Sequence, residues 1–218
     1  PASEMSPLGI TNWHLDQIRA PEAWKLSTGS DVKVGVVDTN AVGANSDLNV
    51  RWRNSSYNPK IADAGHATHV AGLACARANN GGSVGVAWGC DVLSATGGRI
   101  TVAHGTSSSE SVSMGLLTQL AAVRQVIEEG AKVVNISLGW NVRNYLASGT
   151  GRCLTRDQAN QVDTEFGSTE TNSMTSSLFR RLAQGLGKDV LFTLSAGNDC
   201  ADVVGGPFQA AADLDNVI

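Results

Sequence analysis

Asp38 ends the apolar run Val32-Lys33-Val34-Gly35-Val36-Val37, and His66 opens a small-residue stretch, Gly65-His66-Ala67-Thr68-His69-Val70-Ala71-Gly72. A carboxylate accepting a hydrogen bond from imidazole Nδ1–H holds the ring in one tautomer and stabilises the imidazolium. The other ring nitrogen is then free to take a proton from a nucleophile. Asn198, in Ser195-Ala196-Gly197-Asn198, carries a side-chain N–H suited to a developing oxyanion. Ser137-Leu138-Gly139 offers a backbone edge that can pair with an extended peptide by strand addition. An acid, an imidazole, a carboxamide and a backbone edge are what acyl transfer needs.

The elements around these residues explain how they would meet. Val32–Val37 is short, β-branched and barely alternating, the pattern of a strand buried on both faces. Val92–Ala95, Lys132–Leu138 and Asp189–Ser195 read as three further strands. Val112, Leu116, Leu117, Leu120, Val123, Val126 and Ile127 recur at helical spacing before a stop at Gly130. A second helix is expected from about Met174 to Leu186, with Leu178, Leu182 and Leu186 on one face. His66 begins a third, from Ala67 to about Ala78. Strands alternating with helices predict an α/β fold, a parallel sheet with helices on both faces. In such a sheet ligands gather outside the carboxyl ends of the strands, where Asp38, Ser137 and Ser195 all fall.

Composition narrows the function classes. The 218 residues suit one sizeable domain, and a net charge of −4 argues against nucleic acid or an anionic membrane as the main partner. No apolar run reaches the length of a membrane span. The polar stretch 141–172 interrupts the strand–helix rhythm and reads as a surface insertion. Cys75, in an Ala-rich helix, reads as a small core residue. Cys153 and Cys200 both fall in loop-like segments, which leaves a bridge between them open. His69 reads as a packed or hydrogen-bonded neighbour of the site, and Trp140 either lines a groove or packs beneath the insertion.

Four segments in order resemble the subtilisin-like serine proteases, the subtilases (peptidase family S8). Val-Val-Asp38-Thr-Asn is similar to their aspartate motif and Gly-His66-Ala-Thr-His-Val-Ala-Gly to their histidine motif. Val-Asn-Ile-Ser137-Leu-Gly resembles their substrate-binding strand and Ser-Ala-Gly-Asn198 their oxyanion motif. The opening stretch from Asp16 to Val34 also resembles the start of a mature subtilase domain. The resemblance implies a three-layer subtilisin-like fold and a serine endopeptidase. Asp38, His66 and Asn198 would be catalytic, and Ser137, Leu138, Gly139, Ser195, Ala196 and Gly197 would bind a peptide or protein substrate. No cofactor is required for that chemistry. A structural calcium is implied at Asp47 and Asn79, near the loop Arg77 to Ser83.

Three departures stand out. Asn40 replaces the Gly that follows Asp-Thr in the family, and Asn is expected there as the residue that best mimics Gly at positive φ. Ala67 replaces the Gly after the histidine, adding one methyl that is expected to be harmless unless backbone packs against it. The third departure is the nucleophile. The family carries it late, in Gly-Thr-Ser followed by small residues and Pro. Gly105-Thr106-Ser107 precedes the substrate strand and lacks the Pro, so a polar loop explains it fully. Asp215-Asn216-Val217-Ile218 resembles the start of the strand after the oxyanion region. The expectation is an N-terminal portion of the domain, with the Ser on a complementary chain or segment. A non-catalytic, subtilase-like peptide-binding domain is the alternative. A nucleotide-binding domain would need a Gly-rich phosphate loop after the first strand, which Asp-Thr-Asn-Ala-Val-Gly does not supply.

Overall fold

A computed structural model describes residues 12–61, 64–78, 83–101, 111–114, 116–138, 169–195, 208 and 211–218. The chain divides into two compact units, Pro1–Asn135 and Ile136–Ile218. In the first, helices α1 (Trp13–Gln17) and α2 (Ala20–Ala23) precede strand β1 (Lys33–Asp38), buried at every position after Lys33. Then come β2 (Val50–Arg53), α3 (His66–Cys75), β3 (Asp91–Thr96), β4 (Gly98–Thr101), β5 (Ser111–Met114), α4 (Leu116–Glu128) and β6 (Val133–Ile136). The sheet runs β2-β3-β1-β6. β1 and β3 are parallel from Lys33 beside Asp91 to Asp38 beside Thr96. β2 is parallel to β3 with a register shift between Val50 and Trp52, and Lys132 N donates to Lys33 O at the entry to β6.

Alternation along β1 assigns a helix to each face. Val34 and Val36 share a core with Ala67, Ala71 and Cys75 of α3. Gly35 points the other way, and a Cβ there would lie 2.8 Å from Val126 Cγ2 of α4. Only a residue without a side chain lets α4 sit that close, so the expected helix-on-both-faces arrangement is present in this unit. Gly130, with φ +92°, ends α4 where the sequence places the stop, and Ala131 N closes onto Val126 O.

Two expectations change and one strand is added. Val112 lies on β5, not on a helix, and pairs with Ile100 of β4 in an antiparallel ladder. A β-branched residue beside a helical periodicity had simulated one more turn. β2 adds a strand to those read from the sequence: its alternation extends over only four residues, Val50 to Arg53, too few to stand out. Cys75 is buried as expected, but it is bonded to Cys90, joining the end of α3 to the residue before β3.

The second unit holds α5 (Thr169–Gln184) and β7 (Leu191–Leu194). The helix begins inside the stretch read as an insertion, whose residues 141–168 lie outside the described ones. Its buried face is also not the leucine row. Leu178 and Leu186 are exposed, whereas Phe179 and Ala183 are fully buried. Phe179 meets Phe192 and Phe208 edge-on, with ring centroids 5.3 and 5.0 Å apart, and aromatic burial outweighs the aliphatic stripe. Beyond β7, Phe192 N donates to Asn216 O and Ile218 N to Phe192 O, so the last residues continue as a parallel bridge. Among the described residues no helix is long and apolar enough to cross a membrane.

Candidate active site

The turn after β1 and the start of α3 bring the first unit's acid and imidazole together. Asp38 is completely buried, and its Oδ1 and Oδ2 lie 3.0 and 2.8 Å from His66 Nδ1. Thr39 adds two donors to Oδ1, its backbone N–H at 2.7 Å and its hydroxyl at 3.1 Å. An ionised carboxylate accepts but cannot donate, so Nδ1 carries the proton and Nε2 is left as the basic nitrogen. Burial pushes the Asp38 carboxyl above its ordinary range, while the hydrogen bonds from Thr39 and the charge of His66 pull it back. The His66 side chain remains 45% exposed, so the pair has one dry partner and one wet one.

The surrounding strands brace this geometry. Thr96, beside Asp38 in the β-ladder, donates its hydroxyl to Thr39 O at 3.0 Å. The next turn is held by Ser94 Oγ, which accepts from Val42 N, and by Arg53 Nε, which donates to Val42 O. On α3, Ala67, Ala71 and Cys75 face the core, which leaves the helix's first residue, His66, toward solvent. The added methyl of Ala67 is therefore packed into the core. Asn40 departs from expectation more sharply. Its backbone does not take a positive φ, and its buried carboxamide makes hydrogen bonds instead.

His69 lies on a surface groove of ≈ 470 Å³ with Gly43, Asn45, Tyr57 and Thr68. It is exposed, so of the two readings the packed one does not hold. Tyr57 carried no periodic signal and could be found only from the fold. In the second unit Ser195 donates its hydroxyl to Leu138 O at 3.0 Å and its N–H to Ile136 O at 3.2 Å. Ser137 follows β6 directly. Gly139, Trp140, Ala196, Gly197 and Asn198 lie outside the described residues, as do Gly105, Thr106, Ser107, Cys153 and Cys200. Asp47 O accepts from Arg77 N at 2.9 Å, and Asn79 is again outside. Among the described residues no group of three or more His, Cys, Asp or Glu could hold a metal ion.

The subtilase family model matches residues 29–218. Thermitase from Thermoactinomyces vulgaris is 31% identical over 134 residues, covering 59% of this chain and 44% of thermitase. Subtilisin Savinase from Lederbergia lenta is 34% identical over 131 residues, 58% of this chain and 45% of that protein. The chain thus spans less than half the length of these curated relatives. Among solved structures, the MycP3 protease of the type VII (ESX-3) secretion system shares 25% identity with a TM-score of 0.55, covering 84% of this chain and 45% of that one. Fervidolysin from Fervidobacterium pennivorans, 21% identical with a TM-score of 0.52 over 90% of this chain and 26% of its own, has the same fold. With the family matched over nearly the whole chain and a buried aspartate on the histidine that follows it, this chain belongs to the subtilase family.

Proposed function

We propose that this chain supplies the acid and the base of a serine endopeptidase whose nucleophilic Ser lies outside these 218 residues. The observation that carries the reading is the 2.8 Å contact between His66 Nδ1 and the buried Asp38 carboxylate. In the proposed reaction His66 Nε2 takes the proton of the serine hydroxyl as Oγ bonds to the peptide carbonyl carbon. Asp38 holds the ring in that tautomer and stabilises the imidazolium. His66 then delivers the proton to the leaving amine as the C–N bond breaks, and water repeats the sequence to release the acyl group. Asn198 would donate to the oxyanion, and Ser137–Gly139 with Ser195–Gly197 would receive the peptide backbone.

Support for a nucleophile elsewhere comes from two facts. The one Gly-Thr-Ser, at 105–107, stands before the substrate strand, and the chain spans less than half of its relatives. A complementary segment carrying the Ser is the partner this reading requires. A calcium ion at Asp47 and Asn79 is proposed as structural only. The Asp47–Arg77 backbone contact supports it by joining the two segments concerned, and no step of the reaction uses the metal. The Cys75–Cys90 bond fits an oxidising compartment.

The test is His66→Ala in the protein that also contains the Ser segment. Peptide cleavage should fall by about 10⁴-fold or more, and covalent labelling by a serine-directed probe should vanish. Cleavage at the original rate would reject the assignment.

A further inference from the structure

We propose that Asn40 is a positioning residue for the Asp38–His66 pair, a carboxamide clamp between the turn that carries Asp38 and the loop that delivers His66. The proposal rests on the catalytic reading above only for its consequence in turnover; the clamp itself is a matter of geometry. Asn40 stands two residues after Asp38 and is 2% exposed. Its Oδ1 accepts from Ala41 N at 2.9 Å and from Asn58 N at 3.1 Å. Its Nδ2 donates to Asn58 O at 2.8 Å and to Ala64 O at 3.4 Å. Two donors and two acceptors use the full capacity of one amide, which is what a buried carboxamide requires.

The partners matter more than their number. Ala64 is two residues before His66, and Asn58 begins the segment that leads there. Gly65, at the N-cap of α3, provides no side-chain hydrogen bond to the helix start. The first turn of α3 is thus steadied from outside, by the side chain next to the catalytic turn. Asp38 and His66 are linked directly through the imidazole and again through Asn40, which reaches both ends of the incoming loop, while farther along Gly43 N donates to Thr68 Oγ1 of α3 at 2.8 Å. Because Asn40 does not adopt a positive φ, backbone conformation is no reason for an Asn at this turn, whereas these four bonds are. Its side chain touches neither ring nor carboxylate in these contacts, so it acts through placement. A displacement of about 1 Å in such a pair costs on the order of a hundredfold in rate.

Two variants in the catalytically complete protein test this. Asn40→Gly removes the carboxamide while keeping a flexible turn. Asn40→Asp keeps the acceptors for Ala41 and Asn58 N–H but loses both donors to the incoming loop. Turnover (kcat) should fall about tenfold to a hundredfold in both, with KM within about twofold. The Nδ1 proton of His66, followed by NMR of histidine-labelled protein, should exchange with water at least about tenfold faster, because its hydrogen bond to Asp38 opens more often. Melting curves set the temperature at which each variant is measured folded. A lowered melting temperature with unchanged kcat and unchanged proton exchange would make Asn40 a packing residue and overturn the proposal. Undiminished cleavage by His66→Ala would instead remove the catalytic reading, and the proton exchange would still decide the clamp.

Discussion

Asp38 in the first unit and Asp213 in the second each hold a basic side chain, and they respond to it in opposite directions. Asp213 faces Arg180 as a two-pronged pair, with Nη2 donating to Oδ2 at 2.7 Å and Nη1 to Oδ1. Asp213 is exposed and Arg180 half-buried, and the hydrogen bonds from Arg180 hold the carboxyl below its ordinary range while the guanidinium is pushed up. Asp38 has as many hydrogen bonds and a cation-forming partner, yet burial dominates and its carboxyl is raised. Hydration left behind, not the partner, sets the sign. An exposed pair on a surface is weakly stabilising, and a buried one is kept at a cost that structure elsewhere must offset. The second situation is that of a site built to move protons.

Breaking the buried side of this contrast should have the largest effect. Asp38→Asn leaves the shape nearly intact but offers His66 an amide, and cleavage by the complete protein should drop by about 10⁴-fold. Stability should move the other way as pH rises. With its folded-state pKa raised, Asp38 contributes stability that is fully present below the unfolded value of about 3.9 and is lost as pH climbs through the raised one. Asn does not titrate, so the melting temperature of the variant should gain on that of the wild type as pH rises above about 3.9, the unfolded value, and through the raised one. A difference constant across that range, or one shrinking with pH, would contradict the dominance of burial at Asp38.

The disulfide sharpens the contrast by loosening the helix beneath His66 without touching the pair. Cys75 and Cys90 are separated by 15 residues in sequence. Replacing both with Ala should remove about 3 kcal/mol of stability in urea titration, by the loop-closure relation. Unaltered stability would mean that the packing of Val34, Val36 and Ala71 alone secures α3.

The smallest effect belongs to the exposed side. Arg180→Ala should lower the melting temperature by no more than about 3 °C, and the difference should fade in about 1 M salt. In the same variant the Asp213 carboxyl should return upward toward the ordinary range, which an NMR titration reads directly. A large, salt-insensitive loss would mean that the Arg180–Asp213 pair, like the Asp38–His66 pair, is shielded from solvent.

Local chemistry made the proposed acid and base legible. Asp38 ends a run that can only be a buried strand, and His66 begins a helix whose small residues, Ala67 and Ala71, can approach a sheet. The strands β1, β3, β6 and β7 and the stop at Gly130 were readable for the same reason: burial period and glycine conformation are carried by neighbours in sequence. What failed was whatever depended on a distant partner. Val112 fitted a helical series and lies in a β-ladder with Ile100. Leu178 and Leu186 formed a stripe that an aromatic cluster displaced. Asn40 was read through its backbone tolerance, whereas its side chain was what the fold used.

The sequence by itself determined the family and the alternating α/β order, and it singled out Asp38 and His66 as the proposed acid and base, because each is written in residues close together along the chain. Only the tertiary structure decided that Asp38 is fully buried against His66, that Cys75 finds Cys90, and that Asn40 reaches Asn58 and Ala64. Those contacts join segments that have no shared local signal. Their energies arise from desolvation and from hydrogen bonds made only once the strands and helices have packed.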